Sequence, residues 1–110
     1  MILAALLALA AAQAEPIKCK VGPIDQRFGG TEWQVYACDD GRSVLAVTKA
    51  GNPAAPFYFI IAATEKGHEL YGEGTGDKAA SDAAYADLQK LDEAAIAKLY
   101  AEAAAAAPKP

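Results

Sequence analysis

Short segments with the pattern of β-strands recur between residues 17 and 74. Residues 17–21 alternate apolar and charged side chains, which is typical of a half-buried strand. Further strand patterns are rich in aromatic and β-branched residues, and the one at 57–64 is apolar on both faces, as in a central strand. The pattern predicts an antiparallel meander of four or five strands, at 17–21, 32–38, 43–49, 57–64 and 68–74.

Glycine and proline mark the breaks between these strands. Gly22 and Pro23 end the first pattern, and residues 24–31 are predicted to form a loop around the pair Gly29-Gly30. A second loop is predicted at 50–56, which contains one glycine and two prolines.

From Asp77 onward the residues are almost all strong helix formers. One helix of about 28 residues would be about 42 Å long, which exceeds a domain whose radius of gyration should be about 13 Å. Asp92 can cap a new helix, so we predict two helices, at 78–90 and 93–106. The alternative is one helix that projects past the sheet.

The predicted fold is therefore α+β, an antiparallel meander of four to five strands followed by two C-terminal helices packed on one face. The helical spacing of the larger side chains predicts which of them face the sheet. They are Tyr85, Leu88, Ile96, Leu99 and Tyr100.

The hairpin between the second and third strands decides which side chains share a face. Residues 38–41, Cys-Asp-Asp-Gly, fit a three-residue loop that pairs Val35 with Leu45. That register places Trp33 with Val35 on one face and Tyr36 on the other. A two-residue loop would instead pair Val35 with Ala46.

The N-terminal segment resembles a signal for export. Residues 2–12 are apolar, and Ala12-Gln13-Ala14 has the small-x-small pattern of a cleavage site. As a helix the run would reach about 17 Å, against about 30 Å for a bilayer core, so no stable membrane span is expected. We predict a signal peptide at 1–14 cleaved between Ala14 and Glu15, a domain at 15–107, and a frayed tail at 108–110.

Alternatives to this reading stay open. No Lys or Arg precedes the apolar run, so either the signal is minimal or the true start lies upstream of Met1. The run could also form a buried helix or an uncleaved anchor. A lipoprotein is disfavoured because Pro16, Ile17 and Lys18 precede the first cysteine.

Export predicts a periplasmic or secreted protein, where disulfides persist. Cys19 and Cys38 are the two cysteines, and we predict that they form a structural disulfide. Closing a loop of about 20 residues would stabilise the fold by about 3 kcal/mol. A buried pair of free thiols and a redox pair are alternatives, although a redox pair usually has Cys-x-x-Cys spacing.

The charge balance argues against one class of partner. The net charge is −4 and the pI is about 4.8, and the ten basic residues are spread singly. Nucleic-acid binding needs clustered Lys and Arg, so no nucleic-acid partner is expected.

Candidate catalytic and metal-binding residues do not converge. Cys38 lacks a neighbouring base, because the only histidine, His68, lies on another predicted strand. His68 and Glu69 point to opposite faces of a strand, so they should not share a metal, and we expect the His68 side chain to be solvated. The glycine-rich segment 72–77 carries Glu73 and Asp77, which would repel phosphate. We predict no catalytic residue, metal or cofactor.

Aromatic residues from several strands are the better candidates for function. If the helices cover one sheet face, some of these residues lie on the other, where they can contact a protein or glycan partner. Ordinary core packing is the alternative. The candidate binding residues are Trp33, Tyr36, Tyr58 and Tyr71.

The sequence thus predicts a small exported, non-catalytic domain that binds another protein or a component of the cell envelope. One alternative is a secreted enzyme inhibitor that presents the loop at 22–31 or at 50–56. A small enzyme is the other alternative.

Overall fold

A computed structural model of the chain describes residues 16–106. They form a five-stranded antiparallel sheet, with the strands adjacent in chain order, followed by two helices, so the predicted α+β fold is confirmed. The predicted signal peptide, its cleavage site and the tail at 108–110 lie outside the described residues. The elements are β1 (Val21–Phe28), β2 (Thr31–Ala37), β3 (Val44–Thr48), β4 (Phe57–Thr64), β5 (Gly67–Gly74), α1 (Lys78–Gln89) and α2 (Glu93–Ala105).

The first strand lies later in the chain than the sequence pattern predicts. The predictions of a strand at 17–21 and of a loop at 24–31 are both wrong. Strand β1 runs through most of the predicted loop and pairs with β2 from Ile24 to Phe28. A register shift between Val21 and Ile24 accommodates Pro23, so the proline bends the strand instead of ending it. Gly29 and Gly30, both with positive φ, form the tight hairpin turn.

The two helices cover one face of the sheet, and the hydrophobic core lies between the helices and that face. Trp33, Phe57 and Phe59 form an aromatic cluster with ring centroids 4.9–6.3 Å apart. The buried indole of Trp33 donates from Nε1 to the Thr31 hydroxyl, 3.0 Å away, and that hydroxyl donates to the carbonyl of Phe28. The indole N–H is therefore satisfied inside the core.

The helical region contains two helices, as predicted, with a break at 90–92. Asp77 accepts from the backbone N–H of Ala79, and Asp92 accepts from that of Ala95 at 2.8 Å, so each helix begins at an aspartate cap. Among the predicted contacts with the sheet, Leu88, Ile96 and Leu99 are buried and Tyr100 packs against the core. Tyr85 is half-exposed, with its ring 6.2 Å from that of Phe59.

The loop between β2 and β3 sets a register that differs from the prediction. The pairing of Val35 with Leu45 is wrong, because Val35 pairs with Ala46 and Tyr36 pairs with Leu45. This is the pairing of the two-residue alternative, but the loop is longer and is closed by the Cys38 N–H donating to the carbonyl of Ser43.

Asp40 holds this longer loop in place. Its carboxylate accepts from the backbone N–H groups of Arg42 and Ser43 and from the Ser43 hydroxyl. Burial raises the pKa of Asp40, but the hydrogen bonds from Ser43 and Arg42 and the charge of Arg42 outweigh it and hold the pKa below its ordinary value. The Ser43 hydroxyl also accepts from the Ala63 N–H at 2.8 Å, which connects the loop to β4.

A disulfide joins Cys19 to Cys38, as predicted from the sequence. Cys19 lies in the segment before β1, and Cys38 follows the last residue of β2. Two hydrogen bonds between Lys18 and Asp39 support the same connection. The disulfide therefore fastens the start of the described chain to the β2–β3 loop. No helix among residues 16–106 is long and apolar enough to cross a membrane.

Candidate functional site: the open sheet face

Among residues 16–106, no helix packs on one of the two faces of the sheet. The strands alternate, so residues next to the buried core positions point to the opposite side. We call that side the open face. Its apolar and aromatic members are Tyr36, Leu45, Val47, Tyr58, Ile60 and Tyr71, and its acidic members on β5 are Glu69 and Glu73.

Strand register arranges these side chains in two adjacent rows across the sheet. Paired residues on neighbouring antiparallel strands lie side by side on the same face. The first row is therefore continuous from β2 to β5, and the second ends on a carboxylate. The first row is Tyr36, Leu45, Ile60 and Tyr71. The second row is Gln34, Val47, Tyr58 and Glu73.

Three of the four predicted binding residues lie on this face. Tyr58 and Tyr71 are 41% and 54% exposed, and Tyr36 is half-buried. Trp33 is not part of it, because side chains alternate along β2 and Trp33 lies with the buried Val35 on the helix side, where it is 0% exposed. That a partner binds the tyrosines stays a prediction.

Two glutamates belong to this surface that the aromatic pattern did not identify. Tyr71 donates its hydroxyl to Glu69, and Tyr58 donates to Glu73 at 3.2 Å. The hydrogen bond to the carboxylate, together with the negative charge of that carboxylate, raises the pKa of each tyrosine above its ordinary value. The sequence signal was the alternation Glu-x-Tyr-x-Glu at 69–73, which places all three side chains on one face of a strand.

The open face is acidic along β5 and carries no compensating cation on β3, β4 or β5. None of these three strands, all within the described residues, contains Lys or Arg. A shallow depression of about 340 Å³ lies at one end of the face. Its lining comprises Val47, Thr48, Pro56, Phe57, Tyr58, Glu73 and Gly74, so apolar walls adjoin a single carboxylate.

His68 is held in place on the other side of the sheet, and the expectation that it is solvated is wrong. Its side chain is 7% exposed, with Nδ1 2.7 Å from a carboxylate oxygen of Glu93 and Nε2 3.0 Å from the carbonyl of Arg42. Both ring nitrogens thus have partners. A depression of about 210 Å³ adjoins it, and neither Ser nor Cys is among the residues that line it, which are Gly41, Arg42, His68, Glu93, Ala97 and Tyr100. The arrangement joins β5 to α2 and leaves no free ring nitrogen to activate a nucleophile.

The glycine-rich segment 72–77 ends in contacts that stabilise the fold. Asp77, at the end of the glycine-rich segment 72–77, caps α1, and its own N–H donates to the carbonyl of Pro53. Within residues 16–106, no group of three or more His, Cys, Asp or Glu side chains is arranged to hold a metal ion.

No protein-family model, no curated protein and no solved structure matches this chain.

Proposed function

We propose that this chain is a small exported domain without catalytic activity that binds another protein through its open face. The observation that supports this most strongly is the continuous row Tyr36, Leu45, Ile60, Tyr71 on a sheet face that no other element of residues 16–106 covers. Exposed tyrosines that combine an apolar ring with a polar hydroxyl are enriched at protein interfaces. Contiguous apolar patches on small proteins commonly mark interaction sites.

The disulfide supports the proposal that the domain works outside the cytoplasm. Disulfides persist in the periplasm and in secreted proteins, whereas cytosolic thiols are kept reduced. The bond between Cys19 and Cys38 agrees with the apolar segment and the small-x-small pattern at the N-terminus.

The inhibitor alternative has less support, because both candidate loops are bonded into the domain. Most of 22–31 is strand β1. In the segment 50–56, Asn52 is buried and donates from its side chain to the carbonyl of Glu32 at 2.6 Å, and Ala54 is buried in the core. An inhibitor loop has to stand out from its domain to enter an enzyme cleft, so we favour the open face.

Site-specific cross-linking tests the proposal. A photo-reactive phenylalanine analogue is placed at position 71 or, as a control, at position 85, and the cells that produce the protein are irradiated. Tyr71 and Tyr85 are similarly exposed, at 54% and 40%, but Tyr85 lies on α1. We expect an adduct with one extracytoplasmic protein from position 71 only.

Competition shows whether that adduct depends on the open face. An excess of wild-type protein should suppress it, and an excess of the variant carrying Tyr58→Ser and Tyr71→Ser should not, provided that circular dichroism shows the variant to be folded. Equal adducts from both positions, or none from position 71, would refute binding through this face.

A further inference from the structure

We infer that the segment docking on the open face is an extended basic strand that adds to the free edge of β5. It would place two cationic side chains opposite Glu69 and Glu73 and one apolar side chain opposite Tyr71. This inference rests on the proposed function and names the chemistry of its partner.

The position of β5 in the sheet makes such an addition possible. β5 is the last strand in the order, so among residues 16–106 it has a strand partner on one side only. Tyr71, Gly72, Glu73 and Gly74 are exposed along this edge. An edge strand presents unpaired backbone N–H and C=O groups, and an extended peptide can pair with them.

The side chains of β5 determine which peptide fits. Its open-face positions read Glu69, Tyr71, Glu73, and the two carboxylates are four residues apart, about 13 Å along a strand. In an added strand, the side chains directly opposite would lie about 5 Å away between Cβ atoms, where opposite charges attract. Lysine or arginine at positions i and i+4, with an apolar residue at i+2, therefore matches this edge.

The tyrosines hold the carboxylates in position for this contact. The hydroxyls of Tyr58 and Tyr71 donate to Glu73 and Glu69, so each acid stands beside an aromatic ring. A lysine that reaches Glu73 would lay its aliphatic stem in the apolar depression next to Tyr58. Its ammonium group could then contact the ring face as well as the carboxylate.

A second copy of the chain fits the same edge less well. Antiparallel pairing of two β5 strands about Tyr71 would set Glu69 of each copy directly opposite Glu73 of the other. Like charges directly opposite each other destabilise a strand pair. The net charge of −4 also disfavours self-association and favours a basic partner.

The probe is a capped nine-residue peptide with lysine at positions 3 and 7, leucine at 5 and threonine elsewhere. One control peptide carries glutamate in place of both lysines. The other has the same composition with the second lysine moved to position 6, which places the two lysines on opposite faces of a strand. Each is titrated into the disulfide-bonded protein, and binding is followed by amide chemical shifts in two-dimensional NMR.

We expect shifts in β5 and around Tyr58. The peptide with the moved lysine loses one ion pair and should bind about threefold more weakly, whereas the glutamate peptide loses both pairs and should bind about five- to tenfold more weakly or worse. The double variant Glu69→Gln, Glu73→Gln also removes both ion pairs, so it should bind the probe about five- to tenfold more weakly and show a weaker salt dependence. Glu102→Gln removes one carboxylate from exposed α2, where it pairs with Lys98, and should leave affinity unchanged.

Several results would overturn the inference. They are absence of binding at millimolar probe, equal binding of the glutamate peptide, and unchanged affinity in the Glu69, Glu73 variant. Two others would reassign the edge: dimerisation abolished by Tyr71→Ser would assign it to a second copy, and binding of cellohexaose instead of the peptide would assign it to a glycan. The first three results leave the expected adduct from position 71 unaffected, so the docking face and its partner chemistry can fail separately.

Discussion

Gly29→Ala is expected to lower the free energy of unfolding by about 3 kcal/mol or more, whereas Gly30→Ala should cost about 1–2 kcal/mol. Both glycines have positive φ, 61° and 76°, so each substitution carries the cost of a left-handed alanine. Only at Gly29 would the new methyl group also collide with α1, 2.5 Å from the carbonyl carbon of Ala83 and against the backbone nitrogen of Ala84. At Gly30 it would meet no atom within 4 Å.

The cost at Gly29 is large because this turn is a contact between the β1–β2 hairpin and α1. The Gly29 N–H donates to the Asp87 carboxylate at 2.6 Å, so moving the helix away also weakens that bond. Urea unfolding of the two variants measures the difference, since Gly30→Ala supplies the backbone cost alone. Equal destabilisation by the two substitutions would show that α1 does not pack on this turn.

Loss of the Cys19–Cys38 disulfide should lower the free energy of unfolding by about 3 kcal/mol. The cysteines are 19 residues apart, and opening this loop returns conformational freedom to the unfolded chain. Small domains have a total stability of about 5–15 kcal/mol, so the loss is a large fraction. Without the bond, two hydrogen bonds between Lys18 and Asp39 remain to hold the N-terminal segment.

Two preparations separate the cross-link from the packing of the sulfur atoms. The double variant Cys19→Ala, Cys38→Ala removes both sulfurs, whereas reduced wild-type protein keeps them and loses only the bond. Both should unfold at clearly lower urea concentration than the oxidised protein. If oxidised and reduced protein unfolded at the same concentration, the disulfide would contribute nothing to stability.

The sequence predicted those parts of the fold that depend on local patterns. Asp92 identified the start of the second helix because an aspartate cap is a local signal, and the run of helix formers after Asp77 identified the start of the first. The 57–64 strand was located correctly from its apolar run. The first strand was misplaced because Pro23 usually ends a strand, and here a register shift absorbs it.

The candidate site was only partly predictable, because it depends on strand register, which local patterns do not determine. Register in a hairpin depends on loop length, and a shift of one residue exchanges the two faces. Asp40 and Ser43 hold a four-residue loop through their own hydrogen bonds, which a turn template does not include. The observed register therefore places Val44 and Ala46, instead of Leu45 and Val47, on the face of Trp33, while Tyr36, Tyr58 and Tyr71 lie together on the open one.

Hydroxyl-radical footprinting of the wild-type protein, with and without the partner that the cross-link identifies, tests most directly whether the open face is the docking surface. In the free protein we expect Tyr58, Tyr71 and Tyr85 to be oxidised and Trp33, which is 0% exposed, to be protected. With the partner bound, Tyr58 and Tyr71 should become protected while Tyr85 on α1 stays reactive. Rapid oxidation of Trp33 in the folded protein, or protection of Tyr85 instead of Tyr71, would contradict this account.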